Sequence, residues 1–196
     1  MTRLSRKAIT ALLLVAATAT AACGSSSSKS SSAASGGSGS LSAEVKSAAT
    51  GDIPDNQNFL TFNGTGYSIK YPEGWAQSGK GGDVSFRDKN NIVHVVVGAG
   101  APLSASGVTA QLAKEPIPAL KAGTPAPVTL KAGKAVKVTY TSISKPNPVT
   151  GKREKLTVDR YVLAKGGKRA TIDLGTAVGV DNVDAYRLMA GSFQWR

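Results

Sequence analysis

The chain of 196 residues is basic, with 24 Lys and Arg against 12 Asp and Glu, a formal charge of +12, one cysteine and one histidine. A single thiol excludes an internal disulfide or a CxxC redox pair, and a single imidazole excludes the clustered nitrogen and sulfur ligands that zinc favours. The chain is long enough to do without staples, since a segment of about 150 residues buries close to 70% of its unfolded surface.

Arg3, Arg6 and Lys7 precede an uncharged stretch from Ala8 to Ala22. A basic start, an apolar run and then small residues predict a secretory signal peptide over residues 1–22. The run is shorter than the roughly 20 apolar residues that cross a bilayer. Arg3 and Arg6 are not adjacent, which points to the general secretion route. Thr20-Ala21-Ala22-Cys23 resembles the lipobox of bacterial lipoproteins, in which small residues precede a cysteine. The resemblance implies that Cys23 carries a diacylglyceryl thioether and that the chain is cut just before it. Two alternatives stand beside it: ordinary cleavage after Ala19-Thr20-Ala21, and an uncleaved anchor.

Acyl chains at about 0.8 kcal/mol per buried methylene hold a protein on a membrane almost permanently when two or three are present. A thioether also withdraws Cys23 from nucleophilic and redox chemistry. From Gly24 to Ser40 the chain is almost purely Ser, Gly and Ala, a composition that cannot offset the entropy of ordering. Residues 23–57 are therefore expected to form a lipid-anchored flexible linker. Its mean reach is about 30–35 Å, and a folded domain is expected over residues 58–196.

In that domain the periodicity is mostly two. Tyr67 to Tyr71 alternates, and Pro72-Glu73-Gly74 turns the chain into Trp75. Val84 to Phe86 and Ile92 to Val97 flank the turn sequence Asp88-Lys89-Asn90-Asn91. Ala135 to Ile143 and Leu156 to Ala164 read as long strands. Gly166-Gly167 closes a hairpin onto Arg169 to Leu174, because glycine accepts positive φ at both turn positions. A short helix is predicted over Ser106 to Glu115, ended by Pro116. A second, capped by Asp181, repeats Ala185, Tyr186, Met189, Ala190 and Phe193 on one face. Five or six strands with two separated helices predict an α+β fold on an antiparallel sheet. Neither GxGxxG nor GxxxxGK[ST] is present, so a parallel nucleotide-binding fold is not expected.

The stretch GYSIKYPEGW…VSFRDKNNIVHVVV resembles the PsbP family. The matching positions are Tyr71, Pro72, Gly74 and Trp75, then Val84, Phe86 and Asp88, then Asn91, Val93 and Val95, with Ser192-Phe193 near the end. Together with the lipobox, the chain is similar to PsbP-like lipoproteins of high-GC Gram-positive bacteria, the LpqN type. That resemblance implies an α/β/α sandwich around a mainly antiparallel sheet of about six strands. Its shared residues read as structural and transfer no activity, no metal and no cofactor. Trp75, after its turn, is expected to pack its indole under the sheet.

For catalysis the sequence offers little. His94, in register with Ile92 and Val96, reads as a strand histidine rather than the base of a triad. Asp181 and Asp184 sit where a helix begins and suit its dipole. Asp159 and Asp173 lie on strands and receive no role. No catalytic residue and no metal ligand is assigned.

Charge is the stronger signal. From Lys145 to Arg169, eight basic residues face Glu154 and Asp159 alone, an excess of +6 over 25 residues. Lys145, Lys152, Arg153, Lys155, Lys165, Lys168 and Arg169 are candidate contacts for a partner or for an anionic lipid or polymer, with Arg160 among the eight. Solvated basic loops are the plainer reading. The ends of the run fall at opposite ends of one strand, so a split patch is expected. Nucleic acid is not expected as a partner, since no recognition motif accompanies the charge.

The sequence thus predicts a lipoprotein on the outer face of the cell membrane. It would act as a non-enzymatic binding or accessory protein that recruits a protein partner. The alternatives are a carrier or sensor of an apolar or anionic envelope ligand, held between sheet and helix, and then a hydrolase with an unrecognised site.

Overall fold

The computed structural model describes residues 51–147 and 149–196. The signal peptide, Cys23 and the Ser/Gly-rich part of the linker lie outside the described residues. Eleven strands and two helices are described: β1 Phe59–Gly64, β2 Tyr67–Pro72, β3 Ala76–Lys80, β4 Asp83–Asp88, β5 Asn91–Ala99, α1 Ala105–Leu112, β6 Lys121–Ala122, β7 Ala126–Leu130, β8 Gly133–Ile143, β9 Lys155–Lys165, β10 Lys168–Ala177, α2 Val183–Ser192 and β11 Gln194–Trp195. The main sheet runs β3-β4-β5-β10-β9-β8-β6, with β7 also pairing β8, and a small sheet runs β1-β2-β11. Every pairing is antiparallel.

Alternation decides which side chains meet. On β10, Ala170, Ile172 and Leu174 point to one face, where they join Phe86, Val93 and Val95. The small sheet and α2 close that face with Tyr67, Met189 and Phe193. Tyr71 stacks on Phe86 at 3.9 Å between ring centroids and Tyr67 on Phe193 at 5.5 Å. Trp75 is half-buried against the same cluster, as expected. β9 is covered on both sides, which explains its continuous Tyr161-Val162-Leu163 run. Val158 and Val162 point to the second face, where α1 lays Val108 and Leu112 over them together with Val138 and Tyr140.

The result is the expected α+β sandwich with a helix on each face. Residues 51–196 hold both apolar clusters and all the elements above, and at about 150 residues such a segment is large enough to fold alone. The second face is incompletely covered. An eight-residue helix is about 12 Å long and about 10 Å wide, whereas seven paired strands at about 4.8 Å spacing spread over roughly 29 Å. α1 lies over β8 and β9, and the face of β5 and β10 has no helix above it.

Several details differ from the sequence reading. The main sheet has eight strands rather than about six, because β3, β6 and β7 are short: β3 is AQSGK, β6 has two residues, and β7 alternates for only five residues, with Pro127 inside it. α1 ends at Leu112, three residues before Glu115, and Ser104 caps it through a bond from the Gly107 amide at 3.2 Å. The N-cap of α2 is Asn182 rather than Asp181, although Asp181 Oδ1 still accepts from the Val183 amide at 3.3 Å. The Gly166-Gly167 turn is as expected, with φ of 57° and 74°.

Folded structure also begins before residue 58. The Gly51 carbonyl accepts from Asn91 Nδ2 at 2.6 Å, and the Ile53 amide donates to Asn182 Oδ1 at 2.7 Å. Asn182 Nδ2 reaches Asn91 Oδ1 at 3.2 Å, and Thr176 Oγ1 donates to the same oxygen at 2.6 Å. Asn91, Thr176 and Asn182 are all buried. Asn182→Ala should therefore strand the Ile53 amide and cost about 1–3 kcal/mol, read as a lower urea midpoint. An unchanged midpoint would show that water replaces the amide.

Candidate functional site

The uncovered face of the main sheet is the floor of a groove of about 800 Å³. Ile92, His94 and Val96 reach it from β5, Thr171 and Asp173 from β10, and Arg160 from β9. These are the alternate residues of each strand that point away from the α2 core. One wall is Gln111, Glu115 and Ile117, at and after the end of α1; the other end is closed by the β8–β9 loop. Val96 and Ile143 are large apolar side chains that remain 38% and 37% exposed there. A concave, partly apolar surface with a few convergent polar groups is the usual form of a ligand site.

Arg160 is the centre of the floor's electrostatics. Its Nε and Nη2 donate to the two oxygens of Asp173, both at 2.7 Å, and its Nη1 and Nη2 donate to Glu115 at 2.6 and 2.7 Å. Two bidentate forks thus converge on one buried guanidinium, a geometry that Arg provides and Lys does not. Burial works against the charge, but the hydrogen bonds Arg160 donates to Asp173 and Glu115 outweigh it and raise its pKa overall. Burial, and then the neighbouring Asp173 carboxylate, push the Tyr140 phenol well above its ordinary value. The phenol stays protonated and faces Asp173 Oδ2 at 3.5 Å. Because Glu115 follows α1, this cluster ties the helix end to the sheet.

His94 stands in a strand as expected, and its Nε2 is 2.9 Å from Asp83 Oδ1 on the neighbouring strand. Asp159 accepts from Thr139 at 2.6 Å and pairs with Lys137 at 2.7 Å. Asp173, given no role from sequence, is the principal partner of Arg160.

The candidate basic residues do not form one surface. Arg160 is 4% exposed and bonded to both Asp173 and Glu115, so it leaves the basic run. Lys145 and Lys152 line the groove. Arg153 and Lys155 are exposed nearby, with Arg153 donating to the Ser144 carbonyl at 3.1 Å. Lys165, Lys168 and Arg169 sit at the far end of the 11-residue strand β9, about 33 Å away at 3.3 Å per residue. The two prolines and Thr150-Gly151 of the β8–β9 loop would suit an unpaired, projecting loop. Instead it is cross-braced by Ser144 to Glu154 at 2.9 Å and Asn147 to Lys152 at 2.7 Å. Asn147 Oδ1 gathers the Val149 and Thr150 amides inside the loop.

No family model matches the chain, and no curated protein sequence matches it. Among solved structures it is similar to cyanobacterial PsbP (CyanoP) from Synechocystis. The identity is 20% and the TM-score 0.53, over 74% of this chain and 98% of that one. A protein of Bacteroides thetaiotaomicron matches at 13% identity and a TM-score of 0.45, over 69% of this chain and 48% of that one. The main antiparallel sheet, the α1 and α2 layers and the likeness to CyanoP together give the chain a PsbP-like fold.

Proposed function

We propose that this chain is an extracytoplasmic lipoprotein, held on the cell membrane through acylated Cys23, that acts as a non-enzymatic binding protein. The observation that carries the binding role is the groove beside α1. It favours the carrier or sensor reading over recruitment of a protein partner, because the surface is concave and sets the apolar Ile92, Val96 and Ile143 beside convergent polar groups. The polar groups inside are already committed to one another: Arg160 to two carboxylates and His94 to Asp83. That arrangement suits holding a ligand better than transferring protons. Lys145, Lys152, Arg153 and Lys155 lie at one end, where an anionic envelope component would meet them; Lys165, Lys168 and Arg169 would have to act separately. The lipobox and the Ser/Gly tether support the location.

Native mass spectrometry of residues 51–196 after exposure to an envelope extract tests this reading. A small-molecule adduct should appear on the wild type and be absent from Thr171→Trp, which fills the groove from β10. An adduct that survives the tryptophan, or a bound protein in its place, would sink the groove as the binding site.

A further inference from the structure

We infer that the groove takes a single acyl chain bearing an anionic head group, oriented with its head under the β8–β9 loop. The inference rests on the groove being a ligand site and adds the ligand's class and direction. Charge varies along its length. The β4–β5 turn and the β8–β9 loop lie at the same end of the main sheet, because β5 and β9 begin there and β4 and β8 finish there. The lining at that end includes Arg87, Lys145 and Lys152 together with Glu154.

Further in, Arg160 between Asp173 and Glu115 makes a net charge of −1, with four of its donor contacts already spent on the two carboxylates. That net negative charge disfavours an anion in the middle of the floor, where Thr171 and His94 are the other polar side chains. At the basic end it meets exposed cations at about 1 kcal/mol each. Beyond the cations, apolar floor residues stand on either side of the polar row His94, Asp173 and Arg160. Ile143 sits under the loop, Ile92 pairs beside Arg87, and Val96 lies four residues further along β5, about 13 Å on. Val96 and Ile143 are more than a third exposed, and covering them is worth about 25 cal/mol per Å². A head alone would leave these residues in water, and an uncharged chain would leave the basic end unused.

Fluorescence titration of residues 51–196 with dansyl-labelled undecanoate and with its methyl ester tests the inference. The acid should bind saturably and at least about tenfold more tightly than the ester, with affinity falling as salt rises. Arg87→Ala with Lys152→Ala should weaken the acid by about tenfold and leave the ester unchanged. Both residues are exposed, so thermal unfolding should not move. Val96→Gln with Ile143→Gln should weaken both probes. Equal affinity for acid and ester would overturn the anionic head while leaving the groove as a ligand site. Binding of neither probe would overturn the inference, whereas the envelope-adduct measurement judges the groove itself.

Discussion

Arg160→Ala should destabilise the domain by about 3–5 kcal/mol, the usual cost of removing one partner from a buried ion pair. The side chains of Arg160 and Asp173 are 5% and 11% exposed, so Asp173 would keep a buried carboxylate with only the long Tyr140 contact to meet it. Glu115 is 30% exposed and can turn to water, so Glu115→Gln should cost only about 1 kcal/mol. Arg160→Lys should recover little, because an ammonium cannot fork to two carboxylates at once. The decisive comparison is the double variant Arg160→Met, Asp173→Leu. If the penalty is an orphaned charge, the double variant should be more stable than Arg160→Ala. Urea unfolding of the four variants measures this. A loss below about 1 kcal/mol for Arg160→Ala would mean that water reaches Asp173.

The same cluster shows where sequence reasoning stops. Residues that alternate along a strand reveal their own face but not what stands opposite them. Val158, Arg160 and Val162 share a parity, and two valines on that side foretold a buried face. An arginine in that row demanded carboxylates, yet Asp173 and Glu115 are 13 and 45 residues away in sequence. Only the β9–β10 register and the end of α1 bring them together. The hairpin at Gly166-Gly167, the α2 face and the two long strands were legible because local chemistry fixes them. β3, β6 and β7 were not, since each is short and held by its neighbour rather than by its own pattern. The groove was anticipated only as space between a sheet and a helix. Its extent follows from the shortness of α1, which the sequence reading made two residues longer. The Asn91 network was half visible: Asn91 is one of the residues that carry the PsbP resemblance, but its tie to Gly51 moved the start of the fold into the predicted linker.

Cys23→Ser should abolish lipidation and the processing that depends on it, so that no mature lipid-held protein accumulates, the largest change expected of any single substitution in this chain. In the proposed lipoprotein, Cys23 carries a thioether-linked diacylglyceryl group, and at about 0.8 kcal/mol per buried methylene two chains hold the protein on the membrane on any biological timescale. Serine has the size but not the thiol, so no thioether forms. Palmitate label should be lost, and cleavage before residue 23 should fail with it. The competing outcomes are distinct in mass. Cleavage after Ala21 leaves Ala22 as the N-terminus with no lipid, in wild type and variant alike. An uncleaved anchor leaves both in the membrane with residues 1–22 attached. Intact mass of the wild-type protein and the distribution of label between membrane and medium therefore decide among the three. Label that persists in Cys23→Ser would overturn the lipidation site. The consequence for the groove is geometric: with folded structure beginning at residue 51, the proposed tether would have a mean reach of about 26–31 Å, close enough to the bilayer for the domain to exchange a single acyl chain with it. A protein released into the medium would have to meet the same ligand at its aqueous concentration. If residues 51–196 bind the acid probe as inferred, that domain produced without residues 1–50 should keep the affinity and lose the supply.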